Sequence, residues 1–303
     1  MSNLITSSTI ARALEKLSGK FFGLGLKEAP KLYDVLFSKT DSESVFFHAT
    51  QLAGAGFATK LGPGEIVPNK TVFYQGDKAW VPDIYGGRFE ITRAAMEDAI
   101  AVNIAELCAT ELARMMTRTL EQLAANVITN STTGTTGADG IVLASASHPA
   151  VGAANNSNLL STASALVLSA VEDMITQIME NKANDGSPAP LKPQKLVVHP
   201  GNAVLANRIV KSIQRPGTNF NDVNVVKDFG LSMDVVVDTF LTNSSLWGMT
   251  TDAPEGLMYL ERRAVDIGRD NAFDTDNVKM KATWRGVFGW KEWRGIYISA
   301  GTS

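Results

Sequence analysis

From Thr92 to Thr129 the chain runs without a proline or a glycine. Apolar residues recur there at three-, four- and five-residue steps: Ile100, Ile104, Leu107, Leu112, Met115, Leu120, Leu123 and Val127. That spacing draws one stripe along an amphipathic helix, and its first six members are the predicted core contacts. Thr92 can cap the first turn, with Glu97 and Asp98 near its positive end. Glu111 with Arg114, and Arg118 with Glu121, stand three apart and can pair on the solvent side. About 37 residues at 1.5 Å each give a rod of roughly 55 Å, against about 11–12 residues for an average globular helix. Three readings fit: a strut, one long helix of an ordinary α/β enzyme, or two helices broken near Thr117.

The pattern on either side is different. Ser8 or Thr9 can cap a short helix carrying Ile10, Leu14 and Leu17, which Gly19, Gly23 and Gly25 then interrupt. A second short helix is predicted from Ala29 to Phe37, ahead of the polar run Ser38 to Ser42. This arm has little apolar surface of its own, so it must lie on a neighbouring subunit or on its parent domain. Residues 46–64 are rich in glycine and small side chains and predict tight bends. Val72, Phe73 and Tyr74, then Gly76-Asp77-Lys78, then Ala79, Trp80 and Val81, predict a hairpin that turns at Gly76 to Lys78. Pro68 and Pro82 argue against a central strand. An exposed, aromatic, edge-like ribbon is a liability in a monomer and a contact arm in an assembly.

After the long helix, the polar loop Asn130 to Gly140 is expected to be mobile. A helix opening at Ser161 or Thr162 carries Leu166, Leu168, Val171, Met174, Ile175 and Ile178 and ends before Asn184-Asp185-Gly186. A buried strand, Lys195 to His199, precedes a helix near Ala203 to Ile213. Val223 to Val226, Met233 to Asp238, Ser245 to Met249 and Gly256 to Leu260 read as short strands, so this block alternates as a compact α/β domain does. The tail from Arg262 is mostly strand, with long strands at Asp276 to Gly286 and Trp290 to Ser299.

Composition removes several function classes. The 303 residues are 45% hydrophobic and 19% charged, with a net charge of -3, so no general basic field for nucleic acid exists. The single cysteine, Cys108, excludes an internal disulfide and reads as core. No apolar run of about 18 residues predicts a membrane span. The N-terminus reads as mature sequence of a protein folding in a reducing cytoplasm. His48, His148 and His199 lack metal-ligand spacing, and no phosphate loop, GxSxG elbow or zinc motif appears. Asp266, Asp270, Asp274 and Asp276 crowd together; a calcium ion is one reading, but they lack the spacing and terminal Glu of a calcium loop and read first as a solvated turn. Lys78 reads as a solvated lysine. Trp247, Trp284, Trp290 and Trp293 cluster late and suggest sheet packing or an interface. No catalytic, cofactor or metal site is predicted. The residues describe either an enzyme with no visible active site or a protein whose job is its shape.

Several stretches in order carry a resemblance: YGGRFEITRAAMEDA, LEQLAANVI, GIVLASASHPAVGAANNSNL, LKPQKLVVHPGNAVLANRIVKS, RPGTNFNDVNVV, LTNSSLWGM and FDTDNVKMKATWRGVFGWKEWRGIYISAG. They run from about Tyr85 to Gly301, and the LVVHP and closing WRG runs are the most specific. In them the chain resembles the major capsid proteins of tailed phages, in the Mu-like branch. The first 60 residues match only in style.

The resemblance implies an α+β, Hong Kong 97-type capsid fold. Residues 1–46 would be an N-terminal arm across a neighbour, 47–61 the entry to the peripheral domain, and 62–91 an extended loop over the adjacent subunit. Its assembly contacts would be Phe73, Tyr74, Lys78, Trp80 and Tyr85. Residues 92–160 would form the peripheral domain with its spine helix, 161–245 the axial domain, and 246–303 the returning strands. The implied function is self-assembly through pentamers and hexamers into an icosahedral virion head around DNA, which is enclosed without sequence-specific binding and without a membrane. An encapsulin-like compartment shell is the alternative, and an α/β enzyme a third reading. Implied partners are copies of the chain itself, a portal, a maturation protease and a decoration protein. With about 46 residues ahead of the folded part, any scaffold is expected to be a separate protein.

Overall fold

The computed structural model describes residues 31–41, 46–54, 56–94, 104–215, 223–228, 233–271 and 277–301. In chain order its helices are α1 (Tyr33–Leu36), α2 (Ile104–Thr129), α3 (Leu168–Met179), α4 (Ala203–Lys211) and α5 (Val225–Asp228). Its strands are β1 (Ser38–Asp41), β2 (Phe47–Ala53), β3 (Phe73–Trp80), β4 (Asp83–Ile91), β5 (Pro193–Val198), β6 (Asp234–Val237), β7 (Trp247–Thr251), β8 (Leu257–Asn271), β9 (Val278–Trp290) and β10 (Ile296–Ser299).

Two sheets organise two cores. The first has the order β1-β8-β9-β4. Along β9 every second residue points inward, and Val278, Met280, Ala282 and Trp284 are buried, the period-2 signature of a strand with one wet face. The long helix α2 lies against this face with Cys108, Ala109, Leu112, Ala113, Met116, Leu120, Ala124 and Ile128. Small side chains at 109, 113 and 124 let helix and sheet approach closely. At the far end Tyr33, Phe37, Tyr259, Trp284 and Phe288 pack ring on ring, with Tyr259 stacked on Phe288 at 4.6 Å. The second sheet has the order β10-β7-β5-β6. Its middle strand β5 buries Leu196, Val197 and Val198 completely, the continuous apolar run of a strand covered on both faces. Helices α3 and α4 cover it through Val171, Met174, Ile178, Ala206 and Ile209.

The structure decides two points of the sequence reading of the long helix. It passes through Thr117 unbroken, and the Thr117 hydroxyl donates to Ala113 O at 3.1 Å. Residues 95–103, among them Glu97, Asp98 and Ile100, lie outside the described residues, and the side chain of Ile104 is likewise not described. Leu107 is not core: it is 55% exposed, while Met115 is half-buried against Gly87 of β4. The buried face is turned toward the alanines and Cys108, which a hydrophobic stripe counts for little. Burial raises the Cys108 thiol to about 11, which keeps it an inert core thiol.

Glu111 and Arg114 do pair, at 2.7 Å. Glu121 does not reach for Arg118. It is buried, and its carboxylate accepts the backbone N–H groups of Leu32 (2.7 Å) and Tyr33 (3.2 Å). The arm residues 31–41 therefore pack on their own subunit, with β1 parallel to β8. Residues 1–30 are outside the described set.

Burial raises the Glu121 carboxyl from 4.5 to about 7, with Asp238 and Asp34 adding to the rise and the two N–H donors opposing it. The folded state then keeps a proton that the unfolded chain releases. Stability from this group is present below about pH 4.5 and is lost as pH rises through about 7. Thermal melts across that window should show wild type losing up to about 3 kcal/mol from this group. Glu121→Gln should remove that part of the slope; superimposable profiles would mean that the carboxyl does not titrate there.

Three further boundaries move. The helix expected from Ser161 begins at Leu168, with Val167 extended at its N-cap. The strand expected at Val223 to Val226 is instead a bridge at Val223 followed by the short helix α5. The strand expected from Trp290 to Ser299 is split by a 3-10 turn at Trp293–Gly295, so that β10 pairs with β7 in the other sheet. The loop Asn130 to Gly140 is built into the subunit, with Ser131 buried and Ala144 N bonded to Ser131 O.

Candidate assembly surface

The ribbon does not turn at Gly76. β3 is one unbroken strand and pairs antiparallel with β2, from Phe47 opposite Trp80 to Ala53 opposite Phe73. The connection is residues 54–72. Gly76 sits at a bulge: Gln51 faces Gly76 and Leu52 faces Tyr74, so Gln75 is squeezed out of the ladder. The glycine is there for close approach, since a Cβ on it would lie 1.9 Å from Ala138 O. A Gly-Asp-Lys run looks like a local turn, but the partner strand lies more than twenty residues upstream and no local signal marks it.

The five predicted contact residues separate. Phe73 and Tyr74 are exposed on the ribbon. Lys78 is half-buried, with its ammonium 5.5 Å from the Trp80 ring. Trp80 is only 6% exposed. Its indole N–H donates to Trp290 O at 3.1 Å, its ring meets Trp290 edge-on at 4.9 Å, and it covers Gly289. Trp80 is thus a core anchor of the ribbon, not a contact on its surface. Tyr85 lies on β4, half-buried against Trp284 at 5.6 Å.

The more exposed apolar residues are ones the sequence reading passed over. Ile66 is 92% exposed, and Phe57 and Val67 are each 73% exposed. Leu61, Val72 and Leu52 are exposed as well. They were hidden among glycines and prolines; the signal was an Ile66-Val67 pair with no periodic apolar partner of its own. Several large apolar side chains left exposed on one slender extension mark a contact site. The outward face also carries a polar group: His48 Nδ1 lies 2.7 Å from Asp77 Oδ2 and Thr50 donates to Asp77 Oδ1 at 3.0 Å. The His48 hydrogen bond is the largest cause holding the Asp77 carboxyl below its usual range.

Other candidate chemistry resolves into structure. His148 is fully buried, stacked on Trp293 at 4.1 Å. Its Nδ1 lies 2.6 Å from Asp139 Oδ2 and its Nε2 lies 3.2 Å from Asn158 Oδ1. Asn158 directs its amide N–H groups at the carbonyls of Leu143, Trp293 and Ile296, which fixes its oxygen toward His148. His199 Nδ1 accepts from Gly201 N. Asp266 and Asp270 lie on the extended strand β8, facing Thr283 and Lys279, while Asp274 and Asp276 lie outside the described residues. Among the described residues no group of three or more His, Cys, Asp or Glu is placed to hold a metal, and no helix is long and apolar enough to cross a membrane.

Solved structures share this architecture. A chain from Mycobacterium phage Patience aligns with a TM-score of 0.58 at 10% identity, covering 98% of this chain and 94% of its own. A virus-like particle from Pyrococcus furiosus aligns with a TM-score of 0.57 at 13% identity, covering 95% of this chain and 99% of its own. The SrpI encapsulin of Synechococcus elongatus aligns with a TM-score of 0.56 at 8% identity, covering 89% and 86%. At such identities the likeness establishes the fold, the Hong Kong 97-type shell fold. No curated protein sequence matches the chain. The family model described as phage capsid protein matches residues 77–299. The chain therefore belongs to the phage capsid protein family, as a major capsid protein of a viral shell.

Proposed function

We propose that this subunit closes its shell by laying the distal ribbon, residues 57–72, over an adjacent copy, in pentamers and hexamers that complete an icosahedral head around the phage genome. The observation that carries this reading is the exposure of Ile66, Val67 and Phe57 on an extension that buries none of them within its own subunit. Burying those three would contribute on the order of 5 kcal/mol per subunit before the entropy of association. The sheet β1-β8-β9-β4 with α2 acts as the peripheral domain and the sheet β10-β7-β5-β6 with α3 and α4 as the axial domain. DNA is enclosed without sequence-specific contact, and the role is structural, with no enzymatic step. The sequence stretches of the Mu-like branch support placing the chain there. A separate scaffolding protein, a portal, a maturation protease and a decoration protein are the partners expected during assembly in the host cytoplasm. An encapsulin-like compartment has the same fold, but the phage capsid model over residues 77–299 favours the virion.

Hydrogen exchange tests the contact. Amides of residues 57–72 should exchange freely in dissociated subunits and become protected in shells. Equal exchange in both states would remove the ribbon from the contact.

A further inference from the structure

The ribbon leaves the subunit body through a clamp that holds β3 and the chain just past the end of β2. On the β3 side, the bulged Gln75 donates from Nε2 to Pro149 O at 3.1 Å and accepts at Oε1 from Asn184 Nδ2 at 2.5 Å. Asn184 is buried and in turn accepts from Arg294 Nη2 at 2.5 Å. On the β2 side, the next residue of the same loop, Asp185, accepts the Gly56 N–H at 3.0 Å, and its Oδ2 lies 2.8 Å from where a Gly54 Cβ would be. That loop is itself fixed. Ala183 N bonds to Ser187 O, Gly186 takes the left-handed conformation at φ 79°, and the Asp185 carboxylate also accepts from Ser187 N and Oγ.

The contacts close into a circuit. Arg294 is 6% exposed and stacks on Trp293 at 4.1 Å. Trp293 stacks on His148, which pairs with Asp139, the residue after Ala138, whose carbonyl packs onto Gly76. Leaving the ribbon at Gln75 and following touching groups, one returns to it at Gly76. Arg294 also holds Lys182 O and Asn181 Oδ1, and Tyr297 donates to Asn181, so the circuit is seated in the second core. Beyond it, the hydrogen bonds that residues 57–72 make among the described residues are local, such as Gly62 N to Glu65. Residues 57–72 carry no strand of their own, so the direction in which they leave the ladder is set where the chain is held on either side of them.

We propose that Gln75, Asn184 and Asp185 are positioning residues: with Arg294 behind them they fix the angle at which the ribbon projects, and through that angle the curvature of the shell. This rests on the ribbon contact proposed above. A small change of angle at the base becomes a large displacement at the tip, where the neighbouring copy is met.

Two variants test it: Gln75→Ala, which truncates a half-buried side chain, and Asp185→Ala, which acts from the other strand. Both should melt within about 5 °C of wild type, since each loses only a few hydrogen bonds. In dissociated subunits carrying spin labels at Asn69→Cys and Glu180→Cys, with buried Cys108 unlabelled, the wild-type distance distribution should be narrow and both variants should broaden it. Their shells should lose uniform diameter and include open sheets or tubes. Unchanged distance distributions would overturn the clamp. Broadened distributions with shells of unchanged diameter would overturn its link to curvature. If the unaltered chain forms no shells, the assembly reading fails while the distances still judge the clamp; that result likewise overturns the curvature link.

Discussion

Deleting Phe57 to Val72 should yield a folded subunit that forms no shells. The deletion leaves Gly54-Ala55-Gly56 to join Ala53 to Phe73, which already face one another in the ladder. Three residues rich in glycine are a favourable hairpin connection. No residue removed belongs to either core. What is lost is Phe57, Leu61, Ile66, Val67 and Val72, all exposed. The melting temperature and near-ultraviolet spectrum should stay close to wild type, while sedimentation shows only small species. Normal shells from this variant would refute the ribbon contact. A wider cut, from Pro68 to Tyr85, is a different experiment. It takes Trp80 from beneath Trp290 and Gly289, and Tyr85 from β4, so it should destroy the fold along with assembly.

A second large effect is expected on the long helix. Leu112 is completely buried against the first sheet, whereas Leu107, five residues earlier, is 55% exposed. Leu112→Gly combines cavity formation, about 2–5 kcal/mol, with the helix-propensity loss of about 1 kcal/mol. Leu107→Gly incurs only the propensity loss, about 1 kcal/mol. The difference between the two therefore isolates the cavity, about 3 kcal/mol, which corresponds to a gap of roughly 5 °C in melting temperature for a chain of this size. Equal shifts would place Leu107 in the core or take Leu112 out of it.

These two residues show what periodicity conveys and what it leaves out. The 3.6-residue repeat marks the helix, but its buried face is built partly of Ala109, Ala113 and Cys108, which weigh little in an apolar stripe and matter because they are small. The local residues around Gly76 resemble a turn, yet long-range pairing with β2 makes them a bulge. Glu121 looks like a solvent-facing partner for Arg118 until its true partners, 88 and 89 residues away, come beside it. Trp80 reads as a surface aromatic because nothing local reveals Trp290, 210 positions later. In the alternating strand β9 and the apolar strand β5, by contrast, each residue's side is set by its own position, and there the reading of short and long strands survives. The shell fold was legible through the ordered stretches from Tyr85 to Gly301, while the apolar ribbon tip at Ile66 and Val67 was not, since contact with another copy leaves no pattern within one chain.

The most direct measurement is sedimentation combined with negative-stain microscopy of the purified chain, alone and with its neighbouring gene products. Closed shells, or five- and six-membered rings, are expected. A monomer or dimer under every condition tried would contradict a self-assembling capsid subunit.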